Sequence, residues 1–63
     1  MRIAVDAMGG DHAPDEIIAG VLEALPQIDK DDAIILVGPK DLLEQKLAAA
    51  AYDKERLSIV DAP

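Results

Sequence analysis

Between the first apolar run and the first helix-like segment the chain reads Asp6-Ala7-Met8-Gly9-Gly10-Asp11-His12-Ala13-Pro14, and here residue types and spacing could support chemistry. Two adjacent glycines tolerate φ > 0 and let a ligand approach the backbone, which makes the N–H groups of Gly9, Gly10 and Asp11 candidate donors to an anion. His12, the single histidine of the chain, can be an auxiliary donor, a general base or a solvated surface residue. Asp6 and Pro14 are placed to orient the loop, Asp6 more plausibly so than by acting on a substrate. The pattern is neither the GxGxxG of dinucleotide sites nor the GxxxxGK[ST] of P-loops, because no glycine follows at the required spacing and no lysine follows the pair.

Charge argues against a simple anion site. Asp6, Asp11, Asp15 and Glu16 surround the loop and no Lys or Arg lies within it. Backbone N–H groups and a helix dipole offset part of this repulsion, so further cations must come from Arg2, from parts of the protein outside residues 1–63 or from a metal. Asp6, Asp11 and His12 offer oxygen and nitrogen ligands, yet their loose spacing and the lack of a fourth ligand lead us to expect no metal. The structural alternative is a plain strand-to-helix turn, with Asp11 capping the helix and His12 in solvent.

Such a loop needs elements to hold it. Arg2 to Asp6 reads as a short strand, its apolar run Ile3-Ala4-Val5 ending at an acid. Pro14 suits the first helical position, with Asp15 and Glu16 favourable in the first turn. Ile17, Ile18, Val21, Leu22 and Leu25 then recur at helical spacing until Pro26 closes the helix. After an acidic connection, Ala33-Ile34-Ile35-Leu36-Val37 is apolar without alternation, the pattern of a strand buried on both faces. Gly38-Pro39 turns the chain into a second helix, with Pro39 at its first position and Leu43, Leu47, Ala50 and Ala51 along one face. Ala48 to Ala51 favour helix. Leu57 to Asp61 is a third strand, ending like the first in Asp followed by Ala.

The order βαβαβ implies parallel strands in an α/β fold. Two helices do not cover both faces of such a sheet, so residues 1–63 read as one amino-terminal segment of a larger single α/β domain, with the next loop beginning at Ala62-Pro63. With 63 residues, one domain at most is present, near the lower limit for independent folding. No cysteine occurs, which removes disulfides and a thiol nucleophile and suits a reducing cytoplasm. The net charge of −7 disfavours nucleic acid and anionic lipid as partners of this segment. One Tyr and no Phe or Trp leave no aromatic platform for stacking bases or sugars. The opening Met1 to Asp6 is neither a signal-peptide core nor a membrane span.

The contiguous run Arg2-Ile3-Ala4-Val5-Asp6-Ala7-Met8-Gly9-Gly10-Asp11-His12-Ala13-Pro14 resembles the opening of the bacterial phosphate:acyl-carrier-protein acyltransferases. The likeness continues more loosely through Glu16 to Leu25 and Ile34 to Gly38. It implies a three-layer α/β/α fold with a mainly parallel sheet, similar to isopropylmalate dehydrogenases and phosphotransacetylases. It also implies a cytoplasmic homodimer several times longer than this chain, which takes acyl carrier protein and inorganic phosphate as partners and needs no cofactor. Any membrane-touching helices, and most of the cleft, would lie beyond Pro63, and the segment alone would be inactive. The reaction would be attack of phosphate oxygen on an acyl thioester, giving acyl phosphate for phospholipid synthesis.

Two other readings stay open from the residues alone. A nucleotide or phosphate-ester enzyme of related sheet would need a ribose-binding acid after the second strand, where Val37-Gly38-Pro39-Lys40 supplies none. A non-catalytic interaction module would use its apolar face for docking.

Overall fold

A computed structural model describes residues 1–62; Pro63, where the next loop was expected to begin, lies outside the described residues. The elements follow in the order β1 (Arg2–Asp6), α1 (Asp15–Ala24), a 3-10 turn (Leu25–Gln27), β2 (Ala33–Gly38), α2 (Lys40–Leu47) and β3 (Leu57–Asp61). The three strands form one parallel sheet in the order β1-β2-β3.

Register sorts the side chains onto two faces, since neighbours along a strand point to opposite sides. Ile3 pairs with Ile34 and Val5 with Leu36, while Ile34 pairs with Leu57 and Leu36 with Ile59. Apart from Ile3, which is exposed at the sheet edge, this set meets Ile18, Val21 and Leu25 from the first helical stretch and Leu43 and Leu47 from α2 in one core, in which Leu36 and Leu43 are fully buried. Each such leucine contributes about 2 kcal/mol through removal of its apolar surface from water.

The other face carries Ala4, Ile35, Val37, Ser58 and Val60. No described helix covers it, and Val60 is 51% exposed. The expectation that β2 is buried on both sides is corrected here: its burial alternates, with Ile34 and Leu36 inside and Ile35 and Val37 half-buried. The cause is topological. When the sheet grows in one direction through right-handed crossovers, both helices fall on the same face.

The helices also depart from the expected bounds. Pro14 and Pro39 each stand one position earlier than expected, as the residue before the helix, and Pro39 is extended (φ −61°, ψ 114°). The α-helical part of the first segment ends at Ala24, and Pro26 sits inside the 3-10 turn that follows. α2 stops at Leu47, so Ala50 and Ala51 line no helical face. Leu47 is the last side chain there that reaches the core, and beyond it the chain folds into tight turns, Ala48 N–H to Gln45 and Ala50 N–H to Leu47. Helix propensity in four alanines is a weak preference beside the need to return to β3.

Three connections at the far end of the sheet fix the starts of the strands. The amino terminus of Met1 bonds Asp32 Oδ1 at 2.8 Å. Arg56 donates to the carbonyls of Ile28 (3.0 Å) and Asp29 (2.8 Å), tying the residue before β3 to the connection before β2.

Candidate functional site

The loop from Ala7 to Pro14 leaves the carboxyl end of β1, the end of a parallel sheet where ligands bind in open α/β proteins. It is anchored at both of its ends. Ala7 is fully buried and donates its N–H to the Val37 carbonyl at 3.0 Å, which fastens the loop to β2. Pro14 is buried, the Ala13–Pro14 peptide is cis, and the carbonyls of His12 and Pro14 accept the N–H groups of Glu16 and Ile18 at the start of α1.

Asp6 organises the turn between these anchors. Its carboxylate Oδ1 accepts the Met8 N–H at 3.0 Å, and its own carbonyl accepts the Gly9 N–H at 3.2 Å. Gly9 therefore departs from its expected role, because its N–H is engaged inside the turn and is not free for a ligand. Among the described residues Gly10 alone has positive φ, +98°, a conformation an L-residue with a side chain rarely adopts. After it, the N–H groups of Gly10 and Asp11 have no hydrogen-bond partner among the described residues. Backbone donors in this condition are satisfied by water or by a ligand.

Asp11 and His12 are both exposed, and no side-chain hydrogen bond caps α1, so the structural alternative in which Asp11 caps that helix is not what forms. Asp6, Asp11 and His12 do not gather: no group of three acidic or histidine side chains among the described residues is placed to share a metal ion.

The cations are arranged differently from the expectation. Arg2 stands at the opposite end of β1, about 13 Å of strand from Asp6 at ~3.3 Å per residue, and is badly placed to serve the loop. Lys40 opens α2 directly after β2, at the loop's end of the sheet. Lys46 reaches Asp15 (3.1 Å), so one of the four acids around the loop is paired, through a contact largely open to solvent.

Two features of the neighbouring strand end were not legible from local pattern. Asp61, at the end of β3, accepts the Lys40 N–H on its Oδ1 at 2.9 Å and so caps α2 from 21 residues away. The Ala62 N–H donates to the Gly38 carbonyl at 2.9 Å. The repeated Asp-Ala at the ends of β1 and β3 was the available signal, and it marks two carboxylates that each satisfy a backbone N–H near a strand end.

Known proteins resemble this chain along nearly its whole length. The profile of the family described as "Fatty acid synthesis protein" matches residues 1–63. The phosphate acyltransferase of Clostridium perfringens is 48% identical over 62 residues, 98% of this chain and 18% of that protein. That of Syntrophomonas wolfei is 50% identical over 62 residues, 98% of this chain and 19% of its own length. That of Salinibacter ruber is 49% identical over 63 residues, again 98% and 19%. The chain thus spans under a fifth of the length of these relatives. With a match that runs through the glycine loop and all three strands, the chain belongs to the fatty acid synthesis protein family.

Proposed function

We propose that this chain forms the first βαβαβ unit of a phosphate acyltransferase, and that its Gly9-Gly10 loop helps hold inorganic phosphate. In the reaction, a phosphate oxygen attacks the thioester carbonyl of an acyl group on acyl carrier protein. A C–O bond forms, the C–S bond breaks, and the carrier's thiolate leaves and takes a proton. The products are acyl phosphate and carrier thiol. No enzyme thiol is needed, and the chain has none.

The observation that carries this reading is the pair of open N–H groups at Gly10 and Asp11, presented beside the left-handed Gly10 just ahead of α1. Donors fixed in place before the reaction stabilise charge without having to reorganise. Orientation of phosphate beside the thioester supplies the other large part of such a rate enhancement. His12 is a second donor, and Asp6 and Pro14 keep the turn in shape. That the relatives are named phosphate acyltransferases supports the choice of phosphate as acyl acceptor.

The complete protein works without a cofactor, as a homodimer in the cytoplasm, and meets the membrane only through parts outside this chain. Among the described residues, no helix is long and apolar enough to cross a membrane. The test is to give the complete protein acyl-loaded carrier protein with and without phosphate and to measure free thiol and acyl phosphate. Equal amounts of both, appearing only with phosphate, are expected. Thiol released without acyl phosphate would make the protein a thioesterase and overturn the proposal.

A further inference from the structure

Gly38 stands where the three strand ends meet. It closes β2, it is buried, and its carbonyl accepts the Ala62 N–H. Its φ is not positive, so nothing in the backbone conformation asks for glycine at this position. Space does. A Cβ there would lie 3.2 Å from Leu43 Cδ1, 3.5 Å from Ala7 Cβ and 3.5 Å from Met8 Cγ. Ala7 and Met8 are the first two residues of the glycine loop, and the Met8 N–H is the one that the Asp6 carboxylate holds.

We propose that Gly38 is a positioning residue for the loop: by lacking a side chain it lets Ala7 and Met8 rest against the end of β2, which sets where the Gly10 and Asp11 N–H groups point. This rests on the reading of the loop as the phosphate site. The contact distances predict a graded response. A methyl group meets Leu43 first, and the end of that flexible side chain can move, while Ala7 and Met8 remain at ordinary contact distance. A branched side chain extends one bond further and has no room beside Ala7 and Met8, so the loop must shift. Displacement of a binding group by about 1 Å can cost about a hundredfold in rate.

The test uses the complete protein with Gly38→Ala, Gly38→Ser and Gly38→Val, with KM for phosphate, KM for the acyl carrier substrate and thermal melts read in parallel. KM for phosphate should rise from Ala through Ser to Val, by about tenfold or more for Val, while KM for the acyl carrier substrate stays within about twofold. Adding Met8→Ala to Gly38→Val should recover most of the phosphate KM. Leu43→Ala, which loosens the same contact from the helix side, should lower the melt and leave KM for phosphate unchanged.

If Gly38→Val does not fold, Gly38→Ser decides: a phosphate KM raised several-fold supports the proposal, and an unchanged one overturns it. Parallel loss of melting temperature with both KM values unmoved would make Gly38 a packing residue only. Gly10→Val separates the two levels. Should it leave phosphate dependence intact, the site reading itself fails; should it abolish phosphate use while Gly38→Val does not affect it, the positioning role alone is wrong.

Discussion

Two strand ends in this small sheet lead into helices, and they are built in opposite ways. From β2 to α2 the passage takes one residue, Pro39, and the first helical N–H, that of Lys40, is met by Asp61. From β1 to α1 it takes residues 7–14, passes through a left-handed Gly10, and leaves the N–H groups of Gly10 and Asp11 without partners among the described residues. The short turn is closed by its neighbour. The long one is pinned at Ala7 and at Pro14 and held by Asp6 at Met8 and Gly9, but open at Gly10 and Asp11, and fixed ends with free donors suit an anion.

The largest effect should come from the support common to both turns. Leu36→Ala removes a fully buried side chain between them and should cost about 3 kcal/mol in the stability of the complete protein. Thermal melts should fall while the KM for phosphate of the remaining folded enzyme holds. Gly10→Val acts in the reverse sense. It should cost about a hundredfold in phosphate-dependent rate, as removal of one oxyanion donor does, with a smaller loss of stability, about 1–2 kcal/mol, because valine is strained at positive φ. A variant that melts much earlier and keeps its rate would mean the long loop is only a turn.

His12→Ala tests the auxiliary donor, with an expected loss of about tenfold in steady-state rate. No change at all would leave the exposed His12 without a part in the reaction. Asp61→Ala probes the closed turn. Loss of a helix cap costs about 1 kcal/mol, so denaturant midpoints should shift modestly and phosphate dependence should stay within about twofold. A large phosphate effect there would erase the distinction between the two turns.

Local pattern made the strands legible. Arg2 to Asp6 and Leu57 to Asp61 have the bounds that their apolar runs and terminal acids suggest, and β2 gains only Gly38. The position of the loop followed from the glycine pair and Pro14. What stayed hidden depends on contacts distant in sequence. The unbroken apolar run of β2 reads as burial on both faces, yet whether a second layer covers Ile35 and Val37 is decided by elements other than the strand itself. The end of α2 follows from where Leu47 meets the core and from the distance back to β3, neither of which four alanines encode. The Asp61 to Lys40 bond joins residues 21 apart, and the lack of room at Gly38 involves Ala7, Met8 and Leu43 together. In the loop itself, the sequence offered Gly9, Gly10 and Asp11 alike as open donors, and that the Asp6 carbonyl engages the Gly9 N–H is visible only in the folded turn.

The most direct measurement is an amide titration of the complete protein with inorganic phosphate, followed by nuclear magnetic resonance. Saturable shifts at the Gly10 and Asp11 N–H groups, with the Lys40 N–H unmoved behind Asp61, are the predicted result. Saturable phosphate binding that leaves Gly10 and Asp11 unperturbed would contradict the account, because the donors that hold the anion would then lie elsewhere.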